Sequence, residues 1–117
     1  PTRGGLATAL CEIALSSSVG IRLEEAEIPV REEVRGACEL LGFDPLYMAC
    51  EGRFLAIVPS ERAEAALAAV RSTPGGEGAR RIGLVVAEEP GRLVLRTRIG
   101  SHRLLERLSG EQLPRIC

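Results

Sequence analysis

The residues of this 117-residue chain that could do chemistry are few and widely scattered. Cys11, Cys38, Cys50 and Cys117 contain no Cys-x-x-Cys pair and have no histidine cluster beside them, so their spacing is not that of a zinc site. A disulfide framework needs an oxidising compartment, which nothing else in the sequence indicates. Cys11 and Cys38 fall within apolar helical patterns and read as small buried hydrophobes. Cys117 is the last residue, on a tail without hydrophobic periodicity, where packing gives no reason for a thiol; spacing alone leaves it an incidental exposed residue. All 15 basic residues are arginines, which excludes a lysine base, a Schiff base or a P-loop lysine.

Pro1-Thr2-Arg3-Gly4-Gly5 runs directly into an apolar stretch at helical spacing. Glycines there let the backbone approach a ligand, and free N–H groups with the helix dipole attract anions. Arg3 adds a possible bidentate phosphate contact. Many helices start this way without binding anything, so the pattern alone is unspecific. Glu51, before Gly52 at the entrance to an apolar run, reads on its own as a solvated turn residue. His102 reads as a surface residue.

These residues must be positioned by a short series of elements. Leu6, Ala9, Leu10, Ile13 and Ala14 share one side of a helix, and Ser16 to Gly20 breaks it. Ile21 and Leu23 alternate with Arg22 and Glu24 in a half-buried strand. Pro29 can open a second helix that Gly42 closes as a C-terminal cap. Asp44-Pro45 marks a turn. Arg53 to Val58 reads as a near-continuous apolar strand, and Ser60 can cap a helix over 61–70. Ser72 to Gly78 is a loop. Ile82 to Ala87 and Leu93 to Arg98 read as strands paired with each other across Pro90-Gly91. A last short helix over 103–108 precedes a tail at 109–117. The order predicts one mixed α/β (α+β) domain, 1–108, with a mixed sheet flanked by helices.

Composition narrows the function classes. Hydrophobic residues are 45% and charged residues 26%, as expected of a folding chain, and one domain accounts for the length. Only Phe43, Tyr47 and Phe54 are aromatic, so the core is packed from aliphatic side chains. A net charge of −1 argues against nucleic acid or an anionic membrane as partner. No apolar run is long enough to span a bilayer and no signal-peptide pattern opens the chain, so a cytoplasmic protein is expected. A chain that opens on proline, without an initiator methionine, reads as a piece of a longer protein.

Four stretches together resemble the hydrogenase maturation factor HypE family: Pro1 to Thr8, Ile28-Pro29-Val30-Arg31, Leu41 to Tyr47 with Glu51-Gly52, and the terminal Gln112-Leu113-Pro114-Arg115-Ile116-Cys117. They cover the chain in order, and the terminal Pro-Arg-Ile-Cys is the most specific. The wider PurM, ThiL and SelD group shares the fold but not this cysteine tail. The resemblance implies a PurM-like C-terminal domain at 1–108, a flexible tail at 109–117 carrying the cysteine, and an N-terminal ATP and metal domain absent from this chain.

The resemblance also implies a reaction. HypE-like enzymes receive a carbamoyl group from HypF on the C-terminal thiol and use ATP to dehydrate it to a thiocyanate, the cyanide source for NiFe hydrogenase. Phosphorylating the amide oxygen turns it into a leaving group, and a base removes the N–H protons as the triple bond forms. By this likeness Cys117 is the carrier and Glu51 the base, with a carboxylate whose proton affinity burial could raise. Thr2, Arg3, Gly4 and Gly5 match the motif near the nucleotide phosphates. Cys11 and Cys50 stand where asparagine is common in relatives. ATP and Mg²⁺ are implied for the full-length protein and none for this domain alone, with HypF and a HypC–HypD complex as partners and a homodimer expected. The competing reading is a non-catalytic carrier or docking domain that presents the modified Cys117. Another superfamily ligase or kinase is disfavoured, having no use for the terminal thiol.

Overall fold

The structure, a computed structural model, describes residues 3–107. Its helices are α1 (Gly5–Ser17), α2 (Glu32–Leu41) and α3 (Ala63–Arg71). Its strands are β1 (Gly20–Glu24), β2 (Gly83–Val86), β3 (Leu93–Arg96) and β4 (His102–Leu105). The four strands form one mixed sheet in the order β2-β1-β3-β4. β1 pairs antiparallel with β2 and parallel with β3, and β3 pairs antiparallel with β4. The expected α+β class with a mixed sheet and flanking helices is what the chain adopts.

Strand alternation divides the sheet into two unlike faces. Ile21, Leu23, Leu93, Leu95 and Leu105 are buried on one face, where Ala7, Leu10, Cys11 and Ala14 of α1 meet them. Ala7 and Ala14 are one heptad apart and wholly buried, so methyl groups rather than larger side chains set the close approach of helix to sheet. The opposite face carries Leu84, Arg22, Val94 and Leu104 side by side across the four strands. No helix of the described residues is long and apolar enough to cross a membrane.

Local signals in the sequence worked where the structure is locally determined. Gly42 ends α2 at φ 74°, a left-handed cap in which its N–H reaches the Cys38 carbonyl. Asp44 Oδ1 accepts the Leu46 N–H at 3.0 Å and opens a 3₁₀ turn at Pro45–Tyr47. The second helix starts at Glu32, not at Pro29, and Ser60 makes no side-chain cap: a 3₁₀ turn at Ser60–Arg62 leads into α3 instead.

Three expectations are corrected. Residues 53–58 join no strand of the sheet; the apolar run has no alternation to define a face, and Leu55 packs on the core while Phe54 is 70% exposed. The two later strands are not paired with each other, because β1 lies between β2 and β3. That insertion places Ile21 and Leu23 beside Leu93 and Leu95 and completes the buried row. The last element is a strand, not a helix: the turn at Thr97 to Ser101, with Gly100 at φ 88°, reverses the chain so that Leu105 lands opposite Leu93.

Candidate functional site

The start of α1 is built on glycine for a packing reason visible in the backbone. Gly4 and Gly5 have φ of 72° and 65°, and a Cβ at Gly5 would lie 2.7 Å from the Leu46 carbonyl oxygen and closer still to that of Met48. The first turn of α1 is therefore seated on the backbone of the Pro45–Tyr47 turn. Among the described residues no side chain caps the helix start, and its first turn holds no acidic residue, so its N–H groups and dipole suit an anion. Thr8 Oγ1 is buried with no hydrogen-bond partner among the described residues, packed directly over Gly4. Arg3 is exposed in the turn leading into the helix. Thr2 lies outside the described residues.

The same 3₁₀ turn holds the far end of the chain. The Tyr47 hydroxyl donates to the Glu106 carbonyl at 2.7 Å and accepts the Glu106 N–H at 3.2 Å. The Cys11 thiol donates to the Leu105 carbonyl at 3.4 Å, and Arg103 pairs with Asp44 at 3.4 Å. Burial pushes the Cys11 thiol above its usual value, against a weaker opposing pull from the Arg107 guanidinium, and also raises the Tyr47 hydroxyl. Cys11 is thus a neutral core residue at neutral pH, and so acts as the small hydrophobe its helical position suggests.

Glu51 sits in an exposed turn with Gly52 at φ 76°, three residues after Met48. The structure thus brings the neighbourhood of Gly4 and Gly5 next to the segment that leads to Glu51. The burial expected of Glu51 as a general base is not supplied by the described residues. Cys117 lies outside them; Glu106, eleven residue steps before it, is fixed beside Tyr47. A chain of that length reaches at most about 40 Å. His102 is exposed on β4, as read from the sequence.

Sequence reasoning missed two residues of this arrangement. Tyr47, the sole tyrosine in an otherwise aliphatic core, was legible as a motif member but not as a clamp, because its partner is 59 residues away. Thr8 was legible as the end of the first family-like stretch but not as a buried hydroxyl, since a threonine in a helix ordinarily bonds its own backbone. Among the described residues no group of three or more histidine, cysteine or acidic side chains is arranged to hold a metal. A groove of about 490 Å³ lies on the other face of the sheet and includes none of the residues singled out for catalysis or phosphate binding.

Comparison with known proteins places this geometry. The family of AIR synthase related proteins, C-terminal domain, matches residues 1–96. The chain is 56% identical over all 117 residues to carbamoyl dehydratase HypE of Azotobacter vinelandii, covering 34% of that protein. It is 44% identical over 116 residues to carbamoyl dehydratase HypE of Escherichia coli (strain K12), covering 99% of this chain and 34% of that protein. The crystal structure of hydrogenase maturation protein HypE in complex with ATP superimposes with a TM-score of 0.91 at 54% identity, over all of this chain and 36% of the other. A HypE–HypF complex superimposes at 0.86 with 39% identity, over 92% of this chain and 35% of the other. The chain spans about a third of the length of the curated relatives it matches.

Proposed function

This chain belongs to the AIR synthase related C-terminal-domain family, and on that premise we propose that it is the cysteine-carrying C-terminal domain of a HypE-type, ATP-dependent carbamoyl dehydratase. The supporting observation is that one 3₁₀ turn, Pro45–Tyr47, touches both the uncapped start of α1 through Gly5 and the base of the tail through Glu106. The described chain therefore ends, at Glu106, on the same turn that seats a helix start suited to phosphate.

In this reading Cys117 Sγ carries the carbamoyl group as a thiocarbamate. The backbone N–H groups at Gly4 and Gly5, with Arg3 and Thr2, hold the phosphates of ATP. Thr8 Oγ1 is a hydroxyl ready to bond what enters there. Phosphoryl transfer to the carbamoyl oxygen releases one N–H proton; loss of the second, with phosphate leaving, closes the carbon–nitrogen triple bond. Glu51 takes the proton once the remainder of a protein of the relatives' length covers its turn and removes it from water. The Mg²⁺ that the resemblance implies would enter with ATP in a protein of the relatives' length. HypF would load the thiol, and a HypC–HypD complex would take the cyanide.

Mass spectrometry of a protein of the relatives' length, supplied with HypF, carbamoyl phosphate and ATP, tests this. Cys117→Ala should abolish the adduct, and Glu51→Gln should accumulate the carbamoylated form without thiocyanate. The exposed position of Glu51 favours one alternative, a carrier domain that does no chemistry. In that case Glu51→Gln would convert normally. The 117-residue chain alone should neither hydrolyse ATP nor form thiocyanate.

A further inference from the structure

The proposed reaction brings the thiol of residue 117 to Glu51, and the residue before Glu51 is itself a cysteine. Of the three free thiols among the described residues, Cys11 and Cys38 are 5% and 4% exposed, whereas Cys50 is partly exposed. Cys11 is also engaged with the Leu105 carbonyl. Cys50 is therefore the described thiol that a second sulfur can approach without opening the core.

Its place in the chain puts it where the tail has to arrive. Cys50 follows Met48 by two residues, so its Cα lies within about 7 Å of a residue whose carbonyl meets the start of α1 at Gly5. It follows Tyr47 by three, within about 11 Å of the residue whose hydroxyl holds Glu106. The eleven steps from Glu106 to Cys117 extend to about 40 Å. That is ample to bring the two cysteine Cα atoms within the ~7 Å that a disulfide allows. The turn leaves room for an incoming chain: beyond its own neighbours, a Cβ on Gly52 would meet no described atom within 4 Å. Whatever else covers this turn in a longer protein must still admit a thiocarbamate on Cys117, and a path wide enough for that group is wide enough for the bare thiol.

We infer that Cys50 and Cys117 form a reversible disulfide that withdraws the carrier thiol under oxidation. The inference rests on the reading that Cys117 works beside Glu51. With hydrogen peroxide as oxidant, the Cys117 thiolate attacks one peroxide oxygen, the O–O bond breaks, and water leaves with sulfenic acid on Cys117. The Cys50 thiolate then attacks that sulfur and expels a second water. The two thiols lose two protons and two electrons, and one peroxide becomes two waters. A sulfur held in this bond offers no thiolate to a carbamoyl donor, and it is kept from sulfinic acid until a dithiol releases it.

Mass spectrometry of a protein of the relatives' length, treated with peroxide and cleaved after arginine, tests it. Peptides 36–53 and 116–117 should be recovered joined, with fragmentation placing the bond at Cys50 rather than Cys38. Loading of Cys117 by HypF should fall about tenfold or more and return after dithiothreitol. Cys50→Ser should load normally before treatment and yield no joined peptide. Its exposed carrier thiol should pass on to sulfinic acid, so dithiothreitol no longer restores loading. Cys117 recovered unlinked, Cys117 joined to a cysteine other than Cys50, or equal recovery of loading by variant and parent would each overturn the proposal. If the reduced parent does not load at all, the carrier reading fails, while the joined peptide still decides the disulfide.

Discussion

The hydroxyl of Tyr47 is bonded to both backbone groups of Glu106, donating to the carbonyl at 2.7 Å and accepting from the N–H at 3.2 Å. One side chain thus fixes the point at which the last strand gives way to the tail, 59 residues along the chain. Tyr47→Phe keeps the ring and removes both bonds. Because Glu106 is exposed, water replaces part of the loss, and the expected cost is about 1 kcal/mol in urea denaturation. In a protein of the relatives' length, loading of the thiol should persist while thiocyanate formation slows severalfold. Unchanged dehydration with lowered stability would confine Tyr47 to a structural role.

Two glycines with similar backbone angles should respond differently to alanine. Gly42 has φ 74° and open space where a Cβ would go, so Gly42→Ala carries only the left-handed conformational cost, about 1 kcal/mol. Gly5 has φ 65° and two carbonyl oxygens in that space, neither of which is a flexible side-chain end. Gly5→Ala must push α1 off the Pro45–Tyr47 turn and should cost about 3 kcal/mol or more. Matched thermal melts decide it; equal losses would show that the helix start tolerates displacement.

How much of this was readable beforehand follows from the range of each interaction. Gly42, Asp44 and the alternation of Ile21 and Leu23 report on neighbours within a few residues, and those elements formed as the sequence suggested. Strand order is non-local: nothing near Leu93 says that β1, some seventy residues earlier, will lie between β2 and β3. Arg103-Leu104-Leu105 is too short for its period to separate helix from strand, and the register with β3 decided the matter. The site was legible as motifs, while the contacts joining Gly5 to Met48 and Tyr47 to Glu106 needed the fold.

Burial, not surface charge, should dominate the mutational profile. Leu95 is wholly buried between β1 and α1, and Leu95→Ala is expected to cost about 3 kcal/mol in transfer and cavity terms. Arg80 and Glu27 make an ion pair of 2.7 Å, yet both side chains are more than 40% exposed. Glu27→Gln should change stability by less than about 0.5 kcal/mol. Chemical denaturation of both variants checks the ratio; a larger loss for Glu27→Gln would overturn the ranking.

The alkaline limb of stability should be set by Cys11 and Tyr47. Burial raises the Cys11 thiol above its usual 9.0, and ionisation would also remove the donor that bonds the Leu105 carbonyl. The unfolded chain then gives up its proton at lower pH than the folded one. Above pH 9 the folded state binds more protons than the unfolded state, so the slope of unfolding free energy against pH is negative. Stability present in full below pH 9 is therefore lost as pH rises through and beyond that value. Tyr47, raised from 10.0, adds to the loss higher up. The absence of lysine makes the window unusually clean, because the arginines stay charged throughout it. Cys11→Ala should lower stability at pH 7.5 through lost packing but show a shallower decline between pH 8.5 and 10. Parallel declines for variant and parent, in urea titrations at fixed ionic strength, would remove Cys11 as the cause.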